Sequence, residues 1–332
     1  MFDEIVEAGG QFFGGLTNDP SVYANGAPAV GQHPAEPTSV FAQMGQGLGD
    51  LGRGLMQEGV GGLLDPSGMM DRQAAQRELA SRFDVVPDDF VGPRLPNQVT
   101  QAEFEQQAHT FSDIRMGRSD IQFDASTDQA YRDGAMGDMA NLLQTPSGRQ
   151  LLGTLANNTA GEVDANGDPV HHTTTLRSFL DASGNPDTTN SDEMPIDAAG
   201  NGLMGLPGEV NTTNGTGTDT RVRYNPGLNV SPVGATDPWW PARSDTILMH
   251  ELTHAYHDTQ GTTDNTPVQT TDGPGATQSQ PMRYEHQAAG LGLYAGNAVS
   301  ENAYRAERAL IGAGGGSGVQ PGDVGMAHRD FY

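Results

Sequence analysis

The chain of 332 residues contains no cysteine, and all 17 of its basic residues are arginine. The absence of cysteine excludes disulfide bonds and thiol chemistry, so the fold is indifferent to the redox state of its compartment. The absence of lysine has two interpretations. Arginine codons replace lysine codons in a GC-rich genome, which we favour, whereas a chain without lysine would also escape ubiquitin attachment inside a eukaryotic cell.

Long hydrophobic runs are also missing. No run of about 18 apolar residues occurs, so the sequence predicts no transmembrane helix. The stretch from Met1 to Glu7 is acidic and lacks the basic residues that open a Sec signal peptide, which argues against such a signal. With a net charge of −25, the chain repels nucleic acid and anionic membrane surfaces, so neither is expected as a partner.

Composition changes along the chain indicate two regions. Residues 1–66 are rich in glycine, alanine and proline, which weakens helices, so we expect a partly ordered delivery or docking segment, or a disordered tail. A short helix is predicted over residues 69–83, and a proline-containing linker over residues 87–96 follows it. We therefore predict an N-terminal region, residues 1–98, and a C-terminal domain with its own core, residues 99–332.

The C-terminal domain combines helical and strand patterns. Its predicted elements are a helix over residues 128–143, a helix that begins after Thr145 and Pro146, a hairpin over residues 159–176 with its turn at Asn166-Gly167, irregular structure or a flap over residues 181–218, and a strand over residues 220–224. This mixture predicts the α+β class, with a small β-sheet beside helices.

The most informative pattern is His-Glu-Leu-Thr-His at residues 250–254. On a helix, His250 and His254 lie one turn apart on the same face, so both imidazoles can bind one zinc ion at about 2.0–2.1 Å. Glu251 then lies beside the open coordination position, where a carboxylate can accept a proton from zinc-bound water. The alternative is a surface helix whose histidines are merely solvated.

The residues around the motif support a helix. Ser244 is a plausible N-cap, Asp245 suits the positive end of the helix dipole, and Gly261 can end the helix. Ile247 and Leu252 belong to an apolar side of that helix. The two histidines are therefore expected on a mostly buried helix with one polar edge.

A catalytic zinc ion needs a third protein ligand. A histidine at position 260 would complete a metzincin site, but that residue is Gln260. His257 lies about 10 Å along the helix axis from His250, so we interpret it as a residue that supports the site or packs beside it. Glu285, on a later helix, is the preferred third ligand, and Glu301 is the fallback.

Several segments resemble the NleD-like secreted effector metalloproteases, a family that includes type III effectors and toxin domains of bacterial polymorphic toxins. They are residues 144–152, residues 222–226, the zinc motif extended to His257, residues 284–290, Ser300 to Arg305, and the Arg-x-x-Tyr pattern of Arg329 and Tyr332. The resemblance covers residues 100 to 332. It implies a zincin-like metalloprotease domain with an active-site helix.

A more distant resemblance is to the clostridial neurotoxin light chains, which share the zinc motif, a glutamate ligand on a later helix and an Arg-x-x-Tyr pair. By this resemblance, Arg329 and Tyr332 stabilise the oxyanion of the tetrahedral intermediate, where such donors are most effective. Glu301 is expected to orient Arg305 or a zinc-bound histidine.

These resemblances imply a bacterial effector or toxin that is a zinc-dependent endopeptidase and cleaves a protein of the target cell. It would be made in the bacterial cytoplasm and secreted without a Sec signal, and its N-terminal region would engage secretion machinery or a chaperone. The alternative is a non-catalytic cargo, docking or structural protein, in which His257 or His286 completes a closed zinc site.

Overall fold

The computed structural model describes residues 66–163, 167–187, 190–230, 242–267, 283–320, 322–324 and 326–329. The predictions for residues 1–65, for Asn166 and for Tyr332 lie outside these residues. The described residues from Arg72 onward form one compact unit. The division of the chain at residue 98 stays a prediction.

The described residues form helices and short strands in a mixed order. The α-helices are α1 (Pro66–Leu79), α2 (Gln101–Arg115), α3 (Gln129–Leu142), α4 (Pro146–Ala156), α5 (Ser244–Thr259), α6 (Arg283–Ala289) and α7 (Glu301–Gly314). The strands are β1 (Asp84–Val85), β2 (Gln98–Val99), β3 (Ile121–Phe123), β4 (Thr159–Val163), β5 (Pro169–His171), β6 (Thr174–Arg177), β7 (Asp192–Ile196), β8 (Asp219–Arg223), β9 (Asn229–Val230) and β10 (Ala242–Arg243). Short 3-10 helices span Pro207–Thr212 and Gly292–Tyr294. No described helix has the length and apolar character needed to cross a membrane.

The largest sheet among the described residues has four strands in the order β3-β6-β8-β7. Strands β3, β6 and β8 run parallel, whereas β7 runs antiparallel to β8. A small mixed sheet beside helices confirms the predicted α+β class. The predicted strand over residues 220–224 is confirmed by β8, and the prediction of irregular structure over residues 181–218 is wrong where β7 pairs with β8.

The predicted helix starts depend on side chains that accept hydrogen bonds from free backbone N–H groups. Asp128 accepts from the backbone of Tyr131 at 2.8 Å and caps α3, and Thr145 caps α4 with Pro146 at its first position. These two helices confirm the sequence predictions. Ser244 is not the N-cap of α5, because Arg243 occupies that position and the Ser244 hydroxyl donates instead to Asp138, at 3.0 Å.

The core lies where α3, α4 and α5 pack against the sheet. Leu248, Met249 and Leu252 of α5 are fully buried, as are Met139 of α3 and Val222 of β8. Each buried aliphatic side chain of this size contributes about 1.5–3 kcal/mol to folding. The helix that bears the zinc motif is therefore held on its apolar side, and its polar edge is fixed in place.

Buried charges join the C-terminal residues to the rest of the domain. Arg308 of α7 and Asp323 are both fully buried and form an ion pair, and Arg308 also donates to the side chain of Gln144. Arg243, the N-cap of α5, donates to Asp323 at 2.8 Å. Buried charges are tolerated when each has a partner, so this network connects Gln144, α7 and the start of α5.

Candidate active site

Three side chains from two helices meet at the polar edge of α5. The Nε2 atoms of His250 and His254 lie 3.1 Å apart, and each lies 3.3 Å from Oε2 of Glu285. His250 and His254 are one turn apart on α5, and Glu285 is in α6, which packs against α5. Among the described residues, these three form the group that could hold a metal ion.

The donor set fits zinc. Two ligands of a tetrahedral zinc ion, each bound at about 2.0–2.1 Å, lie about 3.3–3.4 Å apart. The three measured separations of 3.1 to 3.3 Å are close to this value. Two imidazoles and one carboxylate are the ligands of many catalytic zinc sites, which leave a fourth position open.

The electrostatics of the site also favour a cation. Burial alone lowers the pKa of His250, but hydrogen bonds to Glu285 and Glu301 raise it to about 9. Burial raises the pKa of Glu285. The positive charges of His254 and His250, together with hydrogen bonds to these histidines, nevertheless hold the pKa of Glu285 well below its usual range. The carboxylates that hold a proton on the imidazole would equally attract a divalent cation in its place.

Glu251 lies beside the three candidate ligands and is 7% exposed. Burial raises its pKa, while the positive charges of His250 and His254 and a hydrogen bond from Ser191 act in the opposite direction. The Ser191 hydroxyl donates to Oε1 of Glu251 at 2.7 Å. A buried carboxylate with a raised pKa is suited to accept and release a proton near neutral pH.

Glu301 supports His250 from the side away from Glu285. It is the first residue of α7, and its Oε2 atom lies 3.0 Å from Nδ1 of His250. Arg305 donates to its Oε1 at 2.7 Å, and Arg329 donates to its Oε2 at 3.1 Å. Burial raises the pKa of Glu301, but the positive charge of Arg329, the His250 bond and Arg305 lower it far more. A carboxylate on the second nitrogen of a metal-binding histidine fixes its tautomer and orientation.

Arg329 is held by its backbone as well as by its side chain. The amide of Asn302 accepts from the Arg329 backbone N–H at 2.7 Å and donates to its backbone carbonyl at 2.8 Å. The guanidinium contacts Glu301. The structure therefore brings Arg329 to the metal group through Glu301, while the predicted partner Tyr332 lies outside the described residues.

Two further histidines, His257 and His286, were alternative zinc ligands in the sequence. His257 Nδ1 lies 2.9 Å from the Thr262 hydroxyl and 3.1 Å from the Gln287 amide nitrogen, and burial lowers its pKa to about 4. His286 follows Glu285 in α6, and burial lowers its pKa as well. Neither belongs to the three-residue metal group.

Sequence reasoning missed Ser191, Glu193 and Asp258. Burial raises the pKa of both Glu193 and Asp258, that of Asp258 to about 6, and the charge of Asp258 raises the pKa of Glu193 further. Asp258 lies one helical turn after His254, and this spacing could have indicated that the two residues share a face of α5. Ser191 lies just before β7 and Glu193 lies within it, in a segment that shows no local signal for the site.

Comparison with known proteins assigns the chain to a family. The model of the Peptidase_M91 family, described as effector proteins, matches residues 118–310, more than half of the chain. No curated protein matches the chain. A solved structure that does match is the light chain of botulinum neurotoxin serotype HA, with 14% sequence identity and a TM-score of 0.30. The match covers 55% of this chain and 47% of that one, so the chain spans about half the length of that structure.

The match to this family identifies the class of the protein as a peptidase. The chain belongs to the Peptidase_M91 family of effector proteins.

Proposed function

We propose that the chain is a zinc-dependent endopeptidase that cleaves a protein of a target or host cell. The observation that carries the proposal is the convergence of His250, His254 and Glu285 within 3.3 Å of one another, with the Glu251 carboxyl group beside them. Membership of an effector peptidase family supports a protein substrate and action inside another cell.

His250, His254 and Glu285 would hold the ion. When bound, zinc supplies Lewis acidity, which polarises a carbonyl and lowers the pKa of water. Glu251 accepts the proton of the attacking water and passes it to the leaving amine, as a positioned general base and acid. Glu301 keeps His250 oriented through Nδ1, and Arg305 keeps Glu301 ionised. We propose that Arg329 and Tyr332 stabilise the oxyanion.

The first test is the metal content of the purified chain beside a His254→Ala variant. We expect about one zinc per chain, because three ligands and an open position describe one catalytic site. The variant should lose the metal. Absence of zinc from the unmodified chain after reconstitution would contradict the proposal.

Activity is tested with a peptide library prepared from a eukaryotic cell lysate, with cleaved products identified by mass spectrometry. The zinc-loaded chain should cleave a defined subset of peptides, and Glu251→Gln should retain zinc but lose cleavage by at least about a hundredfold. Equal cleavage by this variant would remove Glu251 as the base. Cobalt substitution separates the structural alternative, since a closed four-ligand site would give a spectrum that does not respond to added acetohydroxamate.

We also propose that the N-terminal region, residues 1–98, engages secretion machinery or a chaperone and does not take part in hydrolysis. A variant without residues 1–65 should keep its zinc and its cleavage of the peptide library. It should fail to leave a secreting host strain that exports the full chain. Loss of zinc from the shortened chain would show that the N-terminal residues are part of the enzyme.

A further inference from the structure

Among the described residues, Ser191 lies outside the zinc motif and forms a side-chain hydrogen bond with the proposed base. The Ser191 hydroxyl donates to Oε1 of Glu251 at 2.7 Å. The other oxygen of Glu251 accepts no hydrogen bond from the part of the chain that the structure describes. We propose that Ser191 is a positioning residue for Glu251, which fixes one carboxylate oxygen and leaves the other for the attacking water. This inference rests on the proposed function.

Strand β8 fixes the position of the residue that follows Ser191. Asp192, the first residue of β7, forms a two-point ion pair with Arg223 of β8, with one bond of 2.7 Å from Nε. The pairing of Asp192 with Arg223 is also part of the antiparallel register of the two strands. A two-point arginine–carboxylate pair fixes direction as well as distance. The residue next to Asp192 is therefore held close to α5.

A second contact fixes the chain that leads towards Ser191. Asn225, just after β8, donates from its side-chain amide to the backbone carbonyl of Phe179 at 2.9 Å and also to that of Asp187. The Arg223 guanidinium lies over the Phe179 ring, 4.8 Å from its centroid. Arg223 and Asn225 thus contact the chain at Phe179 and Asp187, before β7.

The physical benefit of the Ser191 contact is orientation. A glutamate side chain has three rotatable bonds, and a base that samples several rotamers spends only part of its time within reach of the water. A hydrogen bond to a charged acceptor is stronger than a neutral one and selects one rotamer. Ser191 is neither one of the three candidate metal ligands nor the carboxylate that supports His250. Removal of its hydroxyl should therefore leave zinc affinity unchanged.

The test compares Ser191→Ala and Ser191→Thr in the full zinc-loaded chain, with Ser183→Ala as the matched control. Ser183 is an exposed serine in the same polar region, and its backbone, not its hydroxyl, bonds to Asp181. On the fastest-cleaved library peptide, Ser191→Ala should lower kcat by about ten- to a hundredfold with KM and bound zinc unchanged. Ser191→Thr keeps the hydroxyl and should stay within about threefold of the unmodified chain.

Equal kcat for Ser191→Ala and the unmodified chain would overturn the proposal. So would a fall in kcat that Ser191→Thr fails to restore, because the hydroxyl would then not be the cause. A fall in kcat accompanied by loss of zinc would also overturn it, since Ser191 would then support the metal group rather than the base.

Crystal structures of the unmodified chain and Ser191→Ala provide a readout that does not need activity. We expect the Glu251 carboxylate within hydrogen-bond distance of Ser191 in the first, and rotated or present in two conformers in the second. An unchanged Glu251 in Ser191→Ala would overturn the positioning role even in a chain that hydrolyses no peptide. Failure of the proposed function is recognised separately, by absence of zinc or of cleavage in the unmodified chain.

Discussion

Oε2 of Glu301 lies 3.0 Å from Nδ1 of His250 and accepts a hydrogen bond from Arg329 at 3.1 Å. Glu301 is 3% exposed, and Arg305 is 2% exposed. One carboxylate therefore orients a candidate metal ligand and neutralises two guanidinium groups. One belongs to Arg305, one turn further along α7, and the other belongs to Arg329. Removal of its charge should affect both metal affinity and folding.

We expect Glu301→Gln to weaken zinc binding by about ten- to a hundredfold, because the group behind a metal-bound histidine sets the basicity and orientation of the ring. The affinity is measured by competition with a chelating dye. Glu105→Gln is the control, since Glu105 is exposed in α2 and pairs with Gln101. Unchanged zinc affinity in Glu301→Gln would show that His250 is oriented by other contacts.

The buried pair of Arg308 and Asp323 should be a strong determinant of stability. Both side chains are fully buried, so Asp323→Ala leaves a guanidinium without its carboxylate and should cost about 3–5 kcal/mol in the free energy of unfolding. Urea unfolding provides the measurement. Arg94→Ala, which breaks an exposed pair with Glu103, should cost no more than about 1 kcal/mol. Equal costs for the two variants would contradict the role of burial.

Two glycines of α4 should respond to alanine in opposite ways. A Cβ atom at Gly148 would lie 2.1 Å from the carbonyl oxygen of Leu142, whereas one at Gly153 would meet nothing within 4 Å. Gly148→Ala must displace backbone and should destabilise the fold. Gly153→Ala should stabilise it by about 0.5–1 kcal/mol, because alanine loses less backbone entropy in a helix. Thermal unfolding of both variants distinguishes these outcomes, and a stable Gly148→Ala would show that α3 and α4 are less closely packed.

Asp138 should make stability depend on pH. Burial, followed by the negative charge of Asp245, raises its pKa to about 7 from an ordinary value near 3.8. Because the folded state favours the protonated form, this contribution is fully present below pH 3.8 and is lost as pH rises through about 7. Relative to the unmodified chain, Asp138→Asn should therefore gain stability between about pH 4 and pH 7, by at most about 1.4 kcal/mol per pH unit.

Urea unfolding of the two chains over this pH range, at constant zinc concentration, measures the difference. Asp133→Asn is the matched control, because Asp133 is exposed on the same helix, α3. A constant stability difference between Asp138→Asn and the unmodified chain at every pH would show that Asp138 titrates at its ordinary value.

Local patterns were sufficient to predict the elements whose signals are local. Asp128 and Thr145 begin α3 and α4 as expected, and Gly261, with a φ of 65°, follows the end of α5. The zinc motif also predicted which edge of α5 is polar. In each case the cause lies within one turn of chain, where capping and side-chain periodicity act.

The remainder depends on pairings between distant residues. Strand β7 has no strong pattern of its own and is defined by its register with β8. Ser244 has the chemistry of an N-cap, but its hydroxyl finds Asp138 instead. Ser191 donates to Glu251 from a segment whose neighbours Asp192 and Asp187 are bound by Arg223 and Asn225. Such contacts are set by the assembled fold, so no window of sequence contains them.

The attachment of Arg329 to Asn302 and Glu301 affects the order in which the site can form during synthesis. In the order of synthesis, Arg329 follows every other described residue of the site, and its backbone is bound by Asn302 through both its N–H and its carbonyl group. While the ribosome still holds residue 329, Glu301 lacks one of its two arginines and the support behind His250 is incomplete. The set of contacts around Glu301 is therefore complete only after the chain has been extended past this residue.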